Sequence, residues 1–183
     1  QLPAVCVSGK NMQAFLAGYV DRVDQWEGPY NRYFRVVDYK TGKKNFDYCD
    51  VLNGIGLQML LYLFALEDNG HEILGENSKC AGVQYFPARI ELFTTDGTLT
   101  EEELEKERIS KMTRKGLILH DEDVIHAMEN SDSLKRLSCK RLKDGTLSGD
   151  LADTEQFKLL KQYIFHQLLQ NKTLSHLPQC ILQ

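Results

Sequence analysis

One short segment constrains the fold of this chain more than any other. Residues 33–39 read YFRVVDY, a run of aromatic and β-branched residues that predicts a β-strand. They follow residues 27–32 (EGPYNR), where Gly, Pro and Asn occur together and predict a turn. The stretch before the turn, from Gln13 to Asp24, predicts a second strand that ends in charged residues. We therefore predict an antiparallel hairpin.

This hairpin carries charged residues in a pattern that predicts chemistry. Asp38 and Lys40 are two residues apart, so in a strand their side chains leave from the same face. Asp21 lies near the end of the partner strand and supplies a second carboxylate. Two adjacent carboxylates repel each other unless a cation lies between them, and magnesium binds a few carboxylates while keeping waters for a phosphate. A nearby lysine can orient water and stabilise charge on that phosphate, so phosphodiester hydrolysis is predicted.

A surface ion pair of Asp38 with Lys40 or Arg22 is the alternative, because an isolated D-x-K is common. A third segment favours a catalytic cleft over this surface ion pair. Residues 57–66 are apolar nearly all round and predict a buried helix, ended by residues 68–70. Gln58 and Tyr62 are four residues apart on one face of that helix and are predicted to line the same cleft. The alternative is that Gln58 is a buried glutamine with satisfied hydrogen bonds and that Tyr62 is ordinary core packing.

Together these segments resemble the RecB-type nuclease domain of the PD-(D/E)xK class, with its pattern G-x-hydrophobic-D, D-Y-K and Q-x-x-x-Y. The matching residues are Gly18 to Asp21, Asp38 to Lys40, and Gln58 to Tyr62. Further along, residues 82–87 (GVQYFP), 115–119 (KGLIL) and 121–124 (DEDV) resemble the nuclease region of AddB-type proteins. Those proteins belong to the ATP-dependent helicase–deoxyribonucleases of bacteria.

The resemblance implies a role for each motif residue. Magnesium, with manganese as a substitute, would be held by Asp21, Asp38 and the main-chain carbonyl of Tyr39. Lys40 would be the catalytic lysine. Two residues of the helix would complete the catalytic set: Gln58 and Tyr62.

The resemblance also implies a fold and a function. We expect an α/β fold with a PD-(D/E)xK restriction-endonuclease-like core, a mixed and partly antiparallel central sheet flanked by helices. Residues 1–183 are expected to form a single RecB-like nuclease domain, a piece of a larger helicase–nuclease subunit, since the chain opens on Gln1 and soon enters a strand-like segment. The expected activity is exonucleolytic hydrolysis of DNA during double-strand break repair, with an AddA-like partner subunit.

Two other functions are compatible with the motifs. One is a non-catalytic nuclease-like module that binds DNA or holds a complex together. The other is a stand-alone exonuclease of the CRISPR-associated type, which is expected to carry clustered cysteines. The family's further metal-site residue, often a histidine on a helix before the first strand, has no match in this sequence.

The cysteines favour a particular redox state. Five of them are scattered along the chain without a CxxC pair, which is typical of reduced thiols in a cytoplasmic protein. They lack the tight group that holds an iron–sulfur cluster in AddB-type proteins, so no cluster is expected in this chain. No stretch of about 20 apolar residues predicts a membrane span.

The charge balance restricts how nucleic acid could bind. A net charge of −4 argues against a protein that coats DNA through bulk positive charge, but it leaves room for one basic cleft. Lys43 and Lys44 follow the DYK strand and are predicted to contact DNA phosphates at its mouth, with solvated loop lysines as an equal alternative. The basic segments 111–115 and 135–143 more often represent solvated faces.

Local patterns predict the remaining elements. Thr100 and Glu103 form a capping box that predicts a helix to about Lys115, ended by Gly116. The other predicted elements are strands at 5–8 and 81–86 with an extension at 90–93, a short helix at 121–128, a hairpin around 137–145, and a helix at 154–169.

Overall fold

The computed structural model describes the backbone of residues 5–8 and 13–16 and, with side chains, residues 18–89, 97, 100–131 and 133–169. Within these ranges the strands are β1 (Val5–Ser8), β2 (Gln13–Leu16), β3 (Arg22–Glu27), β4 (Arg32–Lys40), β5 (Ser78–Pro87), β6 (Ile118–Leu119), β7 (Cys139–Arg141), β8 (Leu147–Gly149) and β9 (Leu151–Ala152). The helices are α1 (Tyr48–Leu52), α2 (Gln58–Asn69), α3 (His71–Leu74), α4 (Glu101–Lys111), α5 (Glu122–Met128) and α6 (Thr154–Leu169).

A mixed sheet of five strands, in the order β3-β4-β5-β6-β9, organises the described part of the chain. β3 and β4 are antiparallel, β4 and β5 are parallel, β5 and β6 are antiparallel, and β6 and β9 are parallel. Helix α2 packs on β4 and β5, and α6 packs on α2. The expected α/β class, with a mixed and partly antiparallel sheet flanked by helices, is confirmed.

The hairpin predicted around the Gly-Pro-Asn turn is also confirmed, with β3 ending at Glu27 and β4 beginning at Arg32. The single strand predicted from Gln13 to Asp24 is wrong. Its residues divide between β2, which pairs with β1, and β3, which belongs to the central sheet. Gly18 lies between these two strands, where it is buried beneath the ring of Tyr62. A tertiary contact therefore interrupts a locally strand-like stretch.

The predicted buried helix is confirmed as α2, which begins at Gln58 and extends to Asn69. Every side chain from Met59 to Leu66 is buried, in one core cluster with apolar residues of β4 and β5. Burial of a leucine side chain of this kind stabilises the fold by roughly 2 kcal/mol. The helix ends at Gly70, where a Cβ atom would overlap the carbonyl oxygen of Leu66.

The capping box of α4 is confirmed, because Thr100 and Glu103 bond reciprocally at its start. The predicted extension of this helix to Lys115 is wrong, since α4 ends at Lys111. Lys115 instead exchanges two backbone hydrogen bonds with Tyr85. The Tyr85 N–H donates to the Lys115 carbonyl at 2.6 Å, and the Lys115 N–H donates to the Tyr85 carbonyl at 3.2 Å. Helix α4 buries none of its residues, so no packing energy opposes its early end.

The remaining predictions have mixed outcomes. Helices α5 and α6 and the β7–β8 hairpin are confirmed, and β5 begins three residues before its predicted start at Ala81. The predicted extension at 90–93 lies outside the described residues. The short elements α1, α3, β6 and β9 were not predicted, because a two-residue strand or a single helical turn leaves no periodic pattern.

The close approach of Gly116 to β5 generates a stability prediction. Gly116 has φ +142°, and a Cβ atom there would overlap the carbonyl oxygen of Val83. We expect Gly116→Ala to lower the free energy of unfolding by about 2–4 kcal/mol, through backbone strain and overpacking. Gly145→Ala is the matched control, because Gly145 also has positive φ (+87°), but a Cβ atom there would have no non-neighbouring atom of the described residues within 4 Å. Its expected cost is about 1 kcal/mol. Equal losses in urea denaturation would contradict the packing argument.

Candidate active site

The open end of the β3–β4 hairpin places Asp21 opposite Asp38. Arg22 pairs with Val37, so the residue before β3 lies across from the residue that follows Val37. The backbone N–H of Tyr39 donates to Asp21 Oδ2 at 3.0 Å and fixes that carboxylate at the edge of β4. Asp21 therefore lies just before the start of its strand, not near the end as predicted, and this is where an antiparallel partner meets the end of β4.

Asp38 and Lys40 share a face of β4, as their spacing predicts. That face also carries Phe34 and Val36, which are buried in the core cluster with α2. Lys40 Nζ lies 2.6 Å from Asp38 Oδ2, with the aspartate side chain one-fifth exposed. Oδ2 is itself enclosed, and within the described residues it accepts no hydrogen bond of standard geometry beyond this ion pair. A buried carboxylate oxygen with so little compensation is costly unless another cation binds it.

Tyr85 is a site residue to which the sequence analysis gave no role, although it lies in the family-like segment 82–87. The parallel register of β4 and β5 pairs it with Asp38, so both side chains emerge on one face. Burial, together with the negative charges of Asp38 and Asp50, raises the pKa of Tyr85 to about 12. The phenol therefore stays protonated at neutral pH and keeps a hydrogen to donate beside the carboxylate. Only the non-local strand pairing identifies this neighbour.

The helix pair is brought together as its spacing predicts. Gln58 Nε2 donates to the Tyr62 hydroxyl at 2.8 Å, and Tyr62 is buried. Among the described residues this is the hydrogen bond that the Gln58 amide makes, so no direct bond links it to Asp38 or Lys40. The pair instead reaches the site through Gly18, because a Cβ atom at Gly18 would lie 2.6 Å from the Tyr62 hydroxyl.

Lys43 and Lys44 lie beside the catalytic candidates in a groove of about 300 Å³ that Lys40 also lines. Lys43 is exposed and Lys44 is half-buried. The ammonium of Lys44 lies near Gly56, at 3.5 Å from the position of a Cβ atom there. Both lysines therefore line the same groove as Lys40.

The opposite face of the hairpin holds a polar network that the sequence patterns also missed. Arg35 donates to Asp24 Oδ2 at 2.7 and 2.9 Å and to Gln84 Oε1 at 2.6 Å. Arg22 pairs with Asp24 and donates to the Tyr39 hydroxyl at 3.1 Å. The surface ion pair of Asp38 with Arg22, one of the alternatives, is therefore absent from the described contacts. The fully buried Gln84, between Val83 and Tyr85 in the buried part of β5, was the available signal for this network.

The donor set at the open end of the hairpin suits a hard divalent cation. Asp21, Asp38 and the Tyr39 carbonyl offer oxygen ligands only, which magnesium and manganese prefer. The enclosed and under-compensated Oδ2 of Asp38 supports this fit. The described residues contain no cluster of three or more His, Cys, Asp or Glu side chains that could hold a metal ion. Water or substrate oxygens would have to complete the coordination shell.

Comparison with known proteins agrees with this geometry. The model of the PD-(D/E)XK nuclease superfamily matches residues 4–173. The B subunit of the ATP-dependent helicase/deoxyribonuclease of Bacillus mycoides (strain KBAB4) is 35% identical over 158 residues, which cover 82% of this chain and 14% of the relative. The proteins of the same name from Bacillus cereus (strain AH187) and Bacillus thuringiensis (strain Al Hakam) are 35% and 34% identical over the same shares. The chain thus spans about one seventh of these relatives. In its described part, no helix is long and apolar enough to span a membrane.

The contact between Gly18 and Tyr62 generates one prediction. Because a Cβ atom at Gly18 would lie 2.5 Å from Tyr62 Cε1, Gly18→Ala must displace the ring. We expect a loss of about 1–3 kcal/mol in the free energy of unfolding. The loss should shrink by at least about 1 kcal/mol in a Tyr62→Ala background, where the obstacle is gone. Gly42→Ala is the control, because a Cβ atom at Gly42 would have no non-neighbouring atom of the described chain within 4 Å. A loss unchanged by Tyr62→Ala would show that the ring is not the obstacle.

The network around Asp24 generates a pH prediction. Burial opposes ionisation of this carboxyl, yet hydrogen bonds from Arg22 and Arg35 lower its pKa below 3.8. A folded-state pKa below the unfolded value stabilises the fold above the unfolded pKa, and this stabilisation is lost as pH falls through the folded pKa. The stability difference between wild type and Asp24→Asn should therefore be constant from pH 7 to about pH 5 and shrink below about pH 4. Urea titrations across this range measure it, and a difference independent of pH would contradict the assignment.

Proposed function

The chain belongs to the PD-(D/E)XK nuclease superfamily, and from that premise we propose that it is a metal-dependent deoxyribonuclease domain that hydrolyses DNA phosphodiester bonds at Asp21, Asp38 and Lys40. One observation carries the proposal. The enclosed Oδ2 of Asp38 lies opposite Asp21, with the Lys40 ammonium at 2.6 Å and no standard hydrogen bond among the described residues. This combination is costly for a structural role and useful for phosphate chemistry.

Each residue has a part that follows from its position. Asp21, Asp38 and the Tyr39 carbonyl would hold Mg²⁺ or Mn²⁺, which when bound supplies positive charge at the phosphate and lowers the pKa of a water. The Tyr39 N–H orients the Asp21 carboxylate. The Lys40 side chain is two-fifths exposed, so its ammonium can turn from Asp38 towards the attacking water or the phosphate oxygens.

Two aromatic residues support that arrangement. The protonated hydroxyl of Tyr85, beside Asp38, can donate a hydrogen bond to a phosphate oxygen or a water. Tyr62 and Gln58 act indirectly. Their hydrogen-bonded pair packs on Gly18 and so positions the backbone that leads into Asp21. We therefore assign Gln58 and Tyr62 as positioning residues and keep Lys40 as the catalytic lysine.

The relatives motivate a proposal about the wider setting. Proteins named as the B subunit of an ATP-dependent helicase/deoxyribonuclease contain a region 34–35% identical to this chain. We propose that the chain acts as a single nuclease domain within a protein of that kind, with an AddA-like partner subunit, and degrades DNA strands unwound during double-strand break repair. Exonuclease action, with the strand end entering the cleft, is part of the same proposal.

Cleavage of end-labelled linear single-stranded DNA tests the activity and the site together. With Mg²⁺ or Mn²⁺ the wild-type chain should cut, chelation by EDTA should stop it, and Lys40→Ala should slow it by about 100- to 1,000-fold. Lys79→Ala is the matched control, since Lys79 is an exposed lysine at the far end of the adjacent strand β5. Far-ultraviolet circular dichroism shows whether each variant is folded.

Two outcomes would count against the proposal. If folded Lys40→Ala cut as fast as wild type, the assigned site would be wrong. If the wild-type chain bound DNA but cut with neither metal ion, the non-catalytic alternative would be favoured.

A further inference from the structure

The groove beside Lys40 is formed where three chain segments meet at one edge of the sheet. Its walls are the end of β4 and the following loop, the end of β5, and the segment from the end of α4 to Lys115. Basic side chains dominate the charged part of its lining, which consists of Lys40, Lys43, Lys44, Arg89, Lys111, Lys115 and Glu107. A chain of net charge −4 thus gathers six cations and one carboxylate around about 300 Å³.

Several basic residues elsewhere in the described chain have carboxylate partners, as in the pairs Arg35–Asp24, Arg141–Glu122 and Lys161–Glu67. Four cations of the groove differ. Within the described residues, no carboxylate oxygen lies within 4.0 Å of Lys43, Lys44, Arg89 or Lys115. The negative charge of Asp150 interacts with Lys115 only at a longer distance.

The fold itself holds several of these cations together. Lys115 is fixed by its backbone exchange with Tyr85. The backbone N–H of Ala88 donates to the Lys40 carbonyl at 2.8 Å, which anchors the residue before Arg89 on the end of β4. Like charges that are gathered by backbone bonds repel one another, and an anion in the groove relieves that repulsion.

We propose that Arg89 and Lys115, together with Lys43 and Lys44, bind the phosphates next to the scissile phosphate of the DNA strand held at Asp38 and Lys40. This inference rests on the proposed function. Adjacent strands of a sheet lie about 4.8 Å apart, so the path from Lys40 across β5 to the Lys115 segment covers roughly 10 Å. That distance reaches a neighbouring phosphate of the same strand. Contacts to phosphates carry no sequence information, so the site binds DNA without preference for base sequence.

Fluorescence anisotropy with a labelled single-stranded oligonucleotide in EDTA tests this site without cleavage. Arg89→Ala/Lys115→Ala should weaken binding by about tenfold or more. It should also reduce the slope of log K against log salt by about 0.7 for each lost phosphate contact, hence about 1.4. Arg89→Lys/Lys115→Arg, which keeps both charges, should restore most of the slope. Lys79→Ala/Lys140→Ala removes two exposed lysines outside the groove and should leave affinity and slope near wild type.

Cleavage kinetics separate this proposal from the proposed function. In the Arg89/Lys115 variant the larger part of the loss should fall on KM, whereas Lys40→Ala loses kcat. Wild-type affinity and salt slope in the folded Arg89/Lys115 variant would overturn the phosphate site even if Lys40-dependent cleavage persisted. Equal weakening in the Lys79/Lys140 control would overturn it too, because the effect would then be one of overall charge. If no variant cleaved, the anisotropy results would still decide.

Discussion

The central constraint on this structure is the burial of β4 between two partner strands and against α2. Phe34 and Val36 point into the core on the face that ends in Asp38 and Lys40. A slip of one residue would turn the apolar pair out and the charged pair away from the site, so core packing fixes the register. The chemistry is thus positioned by ordinary hydrophobic energy. The same register places Asp21 on one side of Asp38 and Tyr85 on the other.

This arrangement has an energetic cost, which is the burial of a carboxylate oxygen of Asp38. The Asp38 oxygen is enclosed, with Lys40 as its ion-pair partner among the described residues. Lys40 remains two-fifths exposed, so solvent weakens that pair and leaves the ammonium free to move. On the other face, Arg35 ties Asp24 to Gln84 across three adjacent strands. This clamp supports the hairpin from behind without using the groups that face the cleft.

The sequence predicts those parts of the structure that depend on local pattern. The hairpin, the buried helix and the shared face of Asp38 and Lys40 follow from alternation, turn residues and helical spacing. The strand predicted from Gln13 to Asp24 and the long α4 were wrong because Gly18 packs under Tyr62 and Lys115 pairs with Tyr85. The position of Tyr85 beside Asp38 could not be predicted either, because it also depends on a contact between distant parts of the chain. It depends on a parallel pairing between distant segments, whose register shifts at Phe34 and Arg35.

The charge pattern around α4 shows how a chain of net negative charge can still gather basic residues locally. In sequence, the acidic run 101–107 lies so close to the basic run 111–115 that mutual screening would be expected. The helix separates them, because ten residues of α-helix span about 15 Å. Three glutamates lie in its first turn, whereas Lys111 and Lys115 line the groove with Glu107 as the one acid in its lining. Overall negative charge disfavours anions elsewhere on the surface, so this groove is the place where the proposed DNA strand would be attracted.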